Sequence, residues 1–158
     1  MLKKVLFAIL FSLTFGVGQF ASAADITQKE VEAFVAKAAK YIKEHGKEEA
    51  FKKFSNQQEK YFHEHDGELY MFVYDYKGIN LAHGARASLI GQPSFDVKDP
   101  DGLPVIVELA KIAKEKKKGN LNYKWSNPAH KKVEKKVGYV EDYNGEFFIG
   151  SGFYPAGQ

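Results

Sequence analysis

The feature that most constrains the fold is a strand–turn–strand segment near the middle of the chain, ELYMFVYDYKGINLAHG, from Glu68 to Gly84. Apolar and aromatic residues dominate 69–75, and a second such run covers 79–83 after Tyr76-Lys77-Gly78. Two runs of this kind around a glycine-containing turn are typical of a β-hairpin. The segment therefore predicts the first two strands of an antiparallel sheet.

Three more strands are predicted in the last third of the chain. They cover Leu121–Trp125, Lys135–Glu141 and Glu146–Tyr154, and the turns between them lie at 126–128 and at Asn144-Gly145. Asn-Gly between two apolar runs is a strong hairpin signal. Together with the first hairpin, these segments predict a five-stranded antiparallel sheet.

Helices are predicted before the first hairpin and between the two groups of strands. Thr27 and Glu30 have the spacing of a capping box, and an apolar stripe at helical spacing runs from Val31 to Ile42 before Gly46 ends the helix. A second, short helix carries Ala50, Phe51 and Phe54. The third begins at Pro104 and is predicted to end at Gly119, with an inner stripe of Val105, Leu109, Ile112 and Ala113.

This order of elements predicts an α+β domain. We expect the long N-terminal helix to cover one face of the sheet. The other face is left to the third helix and to the irregular segment 85–102, in which one helical turn is expected near Leu89. Such a loose covering predicts a pocket on that face.

The N-terminus has the pattern of a secretory signal peptide. Lys3 and Lys4 precede an apolar run, and residues 1–23 end in Ala21-Ser22-Ala23. We expect cleavage before Ala24 and a periplasmic or secreted domain at 24–158. An uncleaved anchor is the alternative, because the apolar run is almost long enough to span a bilayer.

Charge and cysteine content exclude several classes of function. Without Lys3 and Lys4, the 23 basic residues become 21, against 20 acidic ones, so no basic face for nucleic acid is indicated. The chain has no cysteine, which excludes disulfides, thiol catalysis and thiolate metal sites.

Other catalytic and metal-binding patterns are weak. The chain carries no G-x-S-x-G, H-E-x-x-H or phosphate-loop motif. His63-Glu64-His65-Asp66 is rich in possible ligands, but neighbours in an extended segment point in opposite directions, so at most one alternating pair could share an ion. No metal site and no cofactor is therefore predicted.

Five segments resemble, in order, the single Cache domain, a PAS-like extracytoplasmic sensor module of bacterial chemoreceptors and sensor kinases. They are LYMFVYDYKGINLAHG, LIGQPSFDVKDPDGLP, YKWSNP, KVEKKVGYV and FFIGSGFY. The likeness covers roughly residues 28 to 155. Such domains usually lie between two membrane helices. This sequence stops at Gln158, so we expect a stand-alone exported protein without an output domain.

The resemblance implies a pocket for a short organic acid on the sheet face opposite the N-terminal helix. The residues that match the family's motif are Tyr74, His83, Trp125, Lys136 and Tyr139, and Ser151 is a further candidate. A lysine, a histidine and tyrosine hydroxyls provide the cation and the donors that a carboxylate in a dry cleft requires.

The residues themselves leave alternatives open. Lys136 and Tyr139 are an odd number of positions apart and share a face only if Gly138 allows a bulge; otherwise Lys136 is a solvated strand residue. His83 alternates with Ile79 and Leu81 along the predicted strand, which places it on an apolar face. A histidine on such a face can also be a core residue with no role in ligand binding. Trp125 is a core residue by default, and Ser151 between two glycines is equally consistent with close strand packing.

Two functions follow. The first is an exported sensor domain, not an enzyme, that binds a short carboxylate and signals through a membrane receptor or sensor kinase, as in chemotaxis. The second is an exported enzyme or cofactor-carrying protein that uses His83 as acid or base. A weak homodimer through the N-terminal helix is also expected, because related receptor domains pair through this helix.

Overall fold

The computed structural model describes residues 25–155. The predicted signal peptide, residues 1–23, and its cleavage before Ala24 lie outside the described residues. Within 25–155, no helix combines the length and the apolar composition needed to cross a membrane.

Helix α1 begins and ends as its sequence predicts. It spans Gln28–His45, with Thr27 as N-cap. The Thr27 side chain accepts a hydrogen bond from the Glu30 N–H, and the Glu30 carboxylate accepts one from the Thr27 N–H, which completes the capping box. Gly46 takes a φ of 81° and ends the helix.

Two further helices follow. Helix α2 spans Lys47–Ser55, and α3 spans Val105–Lys116 with Pro104 at its N-cap. The expected end of α3 at Gly119 is wrong by three residues. Lys117 takes the left-handed conformation instead, with a φ of 68°, and Gly119 already lies in the following strand.

Among residues 25–155, seven strands form two sheets. The strands are β1 (His63–Glu64), β2 (Leu69–Tyr70), β3 (Phe72–Asp75), β4 (Asn80–His83), β5 (Lys118–Asn127), β6 (Lys132–Tyr143) and β7 (Phe147–Phe153). The main sheet is antiparallel and has the order β4-β3-β7-β6-β5, while β1 pairs with β2 alone. This confirms the predicted five-stranded α+β fold. A single turn of 3-10 helix at Ala87–Leu89 is also as predicted.

The strand ends differ from the prediction because pairing extends the strands beyond their apolar parts. Strands β5 and β6 pair continuously from Lys118 with Glu141 to Asn127 with Lys132. Most of the added positions are polar or exposed. Their backbone hydrogen bonds, rather than their side chains, hold them in the sheet.

The two faces of the sheet carry separate cores. Helices α1 and α2 pack on one face against Met71, Val73, Tyr139, Phe147 and Ile149. Helix α3 packs on the other face, where the main sheet contributes mainly Phe72, Tyr74, Tyr123 and Phe148, and Tyr70 of β2 joins them. We call these the helical face and the cleft face.

The apolar stripe of α1 is used by the chain's own core. Its members Val31, Phe34, Val35, Ala38 and Ile42 are all buried against the helical face. The positions of α1 that stay exposed carry alanine and charged side chains. The weak homodimer therefore stays a prediction, without an apolar edge on the described part of α1 to support it.

Candidate functional site

A small cavity lies between the cleft face of the sheet and α3. Its volume is about 10 Å³, close to the minimum that can hold one water molecule. Its walls are almost entirely aromatic and aliphatic, formed by Tyr70, Phe72, Tyr74, His83, Tyr123 and Trp125 from the sheet side and Val105, Ile106 and Leu109 from α3. Ligand sites commonly combine such apolar walls with a few polar groups.

Strand alternation brings the aromatic residues of the first hairpin to this cavity. Tyr70, Phe72 and Tyr74 are two positions apart and therefore face the same side. A register shift then determines the position of His83: Tyr74 pairs with Asn80, and Phe72 pairs with His83. Leu81 packs against the helical-face core instead, so the expectation that His83 and Leu81 share one face is wrong.

His83 is held as a neutral hydrogen-bond donor. Its Nδ1 accepts hydrogen bonds from the backbone N–H groups of Ala85 and Arg86, at 3.2 and 3.0 Å. The ring proton is therefore on Nε2. Burial, reinforced by the positive charges of Lys136 and Arg86, lowers the pKa of His83 to about 3. An imidazolium form does not fit this environment.

Lys136 is buried directly behind the cavity wall. Its side chain is 1 % exposed, and its Nζ donates a hydrogen bond of 2.8 Å to the Tyr70 hydroxyl. The same nitrogen lies 4.0 Å from the ring centre of Tyr70 and 4.8 Å from that of Tyr154. Burial lowers the pKa of Lys136 to about 7, although the charge of Glu68 opposes this shift. The alternative of a solvated strand lysine is wrong.

The tyrosines around the cavity are neutral donors. Burial raises the pKa of Tyr70 and of Tyr74 to about 12 and that of Tyr123 well above its ordinary value. The cleft thus offers hydroxyl groups and an imidazole N–H, and one buried amine that exchanges a proton near neutral pH. It can hold a small anion and exclude water from it.

Tyr139 and Ser151 do not face the cleft. Strand β6 pairs without interruption with both of its neighbours, so Gly138 makes no bulge. Tyr139 consequently lies on the helical face, where its hydroxyl donates to Glu141. Ser151 pairs with Tyr139 in register, and its hydroxyl donates a 2.7 Å hydrogen bond to the Tyr70 carbonyl oxygen.

The glycines next to these residues make space for the cleft side chains. A Cβ on Gly152 would lie 2.8 Å from the Cε of Lys136, and a Cβ on Gly138 would lie 2.6 Å from the Tyr123 ring. Contacts this short do not occur between real Cβ atoms and their neighbours. The strand can therefore accept the long Lys136 stem and the tyrosine ring only because these positions lack a side chain.

Trp125 lies in the cavity wall as the resemblance implies. Its ring meets that of Tyr123 edge to face, with 5.8 Å between the ring centres. Sequence reasoning missed Tyr70, which contributes both a wall of the cavity and the partner of Lys136. Tyr70 and Tyr74 are an even number of positions apart, which is the sequence pattern that could have placed Tyr70 on the same face as Tyr74.

The residues of the His63-Glu64-His65-Asp66 segment go to separate partners. Both ring nitrogens of His63 lie close to carbonyl oxygens, Glu59 at 3.0 Å and Gly84 at 2.9 Å. Glu64 pairs with Lys37. These contacts use the segment for packing rather than for a shared ion.

A five-stranded antiparallel sheet with a long helix on one face and an aromatic cleft on the other is the architecture of PAS-like sensor domains. The chain belongs to the family described as single Cache domain 2, whose model matches residues 19–156. It is a Cache sensor domain of the kind found in chemoreceptors and sensor kinases.

Two curated relatives are signalling proteins. The chain is 38 % identical over 87 residues to the sensor histidine kinase MctS of Rhizobium johnstonii, and 29 % identical over 91 residues to the methyl-accepting chemotaxis protein McpP of Pseudomonas putida. The matches cover 54 % and 57 % of this chain but only 18 % and 17 % of those proteins. They therefore concern less than a fifth of each relative.

Solved structures agree with the fold. A methyl-accepting chemotaxis protein from Vibrio parahaemolyticus superposes with a TM-score of 0.69 at 26 % identity, over 80 % of this chain and 86 % of that one. A Cache domain solved in a study of carboxylic acid recognition gives 0.62 at 24 % identity, over 78 % and 84 %. A periplasmic sensor domain of a chemotaxis protein gives 0.62 at 20 % identity, over 78 % and 86 %.

Proposed function

We propose that this chain is an exported sensor domain that binds a short organic acid in the cleft and passes the bound form to a membrane receptor or sensor kinase. Cleavage before Ala24 is part of the proposal. An intact mass that still includes residues 1–23, measured on protein from the native host, would contradict that part.

One observation carries the choice of ligand class: a buried lysine next to a cavity whose other polar groups are donors. Tyr70 and His83 belong to the cavity wall, and Lys136 lies behind it in contact with the Tyr70 hydroxyl. A carboxylate is the small ligand that complements an ammonium group and neutral donors at once, and it would replace the solvation that Lys136 lost on burial.

The size of the cavity restricts the ligand further. A space of about 10 Å³ has to widen even for an acid of two or three carbon atoms. Val105, Ile106 and Leu109 form the α3 side of the cavity, so a small displacement of α3 is the simplest way to widen it. Larger acids, sugars and most amino acids would require a rearrangement of the sheet.

The relatives support a sensory role. A kinase and chemotaxis proteins carry similar domains, and one structural neighbour was solved for its recognition of carboxylic acids. No geometry in the cleft favours the enzyme alternative. The Nδ1 of His83 is occupied by two backbone N–H groups, which leaves this nitrogen unable to act as a base.

Calorimetric titration with acetate, propionate and lactate tests the proposal. Lys136→Met keeps much of the stem volume and removes the charge, so the affinity for the tightest of these acids should fall by at least ~30-fold, the equivalent of about 2 kcal/mol. The helical-face variant Tyr139→Phe should change the affinity by less than about threefold, since its hydroxyl points away from the cleft.

Lys118→Met is the matched control for the loss of a lysine. Lys118 is exposed at the start of β5, so this variant makes the same chemical change away from the cleft. Equal affinities for wild type, Lys136→Met and Lys118→Met would remove Lys136 from the site. Failure of the wild-type chain to bind any of the three acids would overturn the carboxylate assignment.

A further inference from the structure

A second set of polar side chains lies outside the cleft, in a surface groove of about 920 Å³ near the β5–β6 turn. Glu68, His130 and Glu134 all line this groove. One candidate ligand atom from each lies within 4.8 Å of the other two. The three residues come from separate places in the sequence: the segment before β2, the β5–β6 turn, and β6.

The distances within this set are close to those around a bound metal ion. The Nδ1 of His130 lies within hydrogen-bond distance of both Glu134 carboxylate oxygens, at 3.0 and 3.1 Å, and its other ring nitrogen, Nε2, lies 4.0 Å from Glu68 Oε1. With metal–ligand bonds of about 2.1 Å, the ligand atoms of a tetrahedral ion are about 3.4 Å apart. A single ion would take one of the two ring nitrogens, so His130 would exchange its contact with Glu134 for a bond to the metal.

A buried amide keeps the two carboxylates next to each other. The Asn127 side chain has no exposed surface, and its NH₂ group donates to Glu68 Oε1 at 2.6 Å and to Glu134 Oε2 at 2.7 Å. Its carbonyl oxygen accepts from the Ala129 N–H, which fixes the orientation of the amide. Glu68 Oε2 and Glu134 Oε1 stay outside the contacts with this amide, and Glu134 Oε1 is the oxygen that lies next to His130 Nδ1. Metal-binding carboxylates are commonly oriented by such outer partners.

Chemistry of the ligand set selects the kind of ion. Imidazole nitrogen together with carboxylate oxygen suits first-row transition metals and zinc, whereas magnesium and calcium prefer oxygen ligands alone. The imidazole is what separates this set from an ordinary acidic patch. The groove leaves the outer side of the set open to solvent, so a further coordination position is available to water.

We propose that Glu68, His130 and Glu134 form a binding site for a divalent transition-metal ion, with zinc as the test ion and Asn127 as the residue that positions the two carboxylates. The ion would connect the β5–β6 turn to the segment that leads into Tyr70. The site lies in a groove that shares no lining residue with the cleft cavity.

Sequence reasoning excluded a metal site because it looked for ligands close together in the chain. Glu68 and His130 are 62 positions apart, almost half of the described sequence, and His130 lies in the β5–β6 turn while Glu134 lies in β6. Only the pairing of β5 with β6 and the position of Asn127 bring the three side chains together.

Zinc titration of the untagged, chelator-treated full chain by calorimetry tests the site, with magnesium and calcium titrated in parallel. We expect one zinc per chain and much weaker binding of the other two ions. His130→Ala and Glu134→Gln should each lower the zinc affinity by at least about tenfold. Glu134→Gln preserves the shape of the side chain, and circular dichroism verifies that both variants fold.

His65→Ala is the matched control, because His65 is an exposed histidine that lines the same groove on its other side. It should leave the zinc affinity unchanged. Substitution with cobalt should give visible absorption bands that His130→Ala removes. Any one of three results would overturn the proposal. The chain could fail to bind zinc, or it could bind magnesium or calcium as tightly as zinc. His65→Ala could also lower the zinc affinity as much as His130→Ala does.

Discussion

The two faces of the main sheet are built from the same strands and yet have different chemistry. The helical face is closed by aliphatic and phenylalanine side chains from α1 and α2, and its polar groups are satisfied locally, as Ser151 is by the Tyr70 carbonyl. The cleft face holds a buried lysine, a buried histidine and a group of tyrosines under α3. The comparison indicates that one face provides stability, whereas the other carries the candidate site and buries polar groups at some cost in stability.

Glycine is distributed in a way that supports this division. Gly138, Gly150 and Gly152 all lie where a side chain would collide with the large residues of the cleft face: Tyr123, Phe72 and Lys136. Strand glycines normally weaken a sheet. Here the missing side chains leave the space that the aromatic rings and the long Lys136 side chain need on the cleft face.

The largest expected effect concerns the helical face. Phe54 is fully buried, with its ring centre 4.6 Å from that of Phe62. Phe54→Ala should lower the free energy of unfolding by about 3–5 kcal/mol, because it removes buried area and leaves a cavity. Acid affinity measured well below the melting temperature should stay within about threefold of wild type. A parallel loss of stability and affinity would show that the two faces do not act separately.

The pH dependence of stability should come from the cleft face. The folded pKa of Lys136 is about 7 and its ordinary value is 10.5, so between these values the unfolded chain binds more protons than the folded one. The free energy of unfolding should therefore rise with pH in this window, by up to about 1.4 kcal/mol per unit from this group. Below about pH 7 the cost of the buried charge is fully present.

Denaturant unfolding at several pH values, for wild type and Lys136→Met, measures this contribution. In Lys136→Met, the free energy of unfolding should rise less steeply with pH, because the contribution of Lys136 is missing. Lys118→Met should show the same pH dependence as wild type. If the free energy of unfolding depended on pH identically in wild type and Lys136→Met, Lys136 would have an ordinary pKa. The cleft face would then hold no destabilising buried charge.

The smallest effect is expected at a glycine of the cleft face. Gly152→Ala places a methyl group against Lys136 and the Val137 carbonyl oxygen, which should cost about 1–3 kcal/mol of stability. Because the collision displaces Lys136, the affinity for acetate or propionate should fall as well. Ser151→Ala, one residue away but on the helical face, is the control and should leave the affinity unchanged. Loss of affinity in both variants would contradict the assignment of faces.

Much of the fold could be predicted because its signals are local. The capping box at Thr27, the stop at Gly46 and the Asn144-Gly145 turn depend on neighbouring residues, and each occurs where it was expected. Period-two alternation also accounts for the common face of Tyr70, Phe72 and Tyr74, although no sequence-based prediction used it. Such local features depend on neighbouring residues and would form in any fold that contains the same segment.

Tertiary structure alone decided which candidates form the site. Two features depend on how each strand pairs with its neighbours. One is the register shift that lets both Asn80 and His83 pair with cleft residues. The other is the absence of a bulge in β6, which leaves Tyr139 on the helical face. So does the meeting of Glu68 with His130. Pairing register is determined by the packing of the whole sheet, and a single strand's sequence does not contain that information.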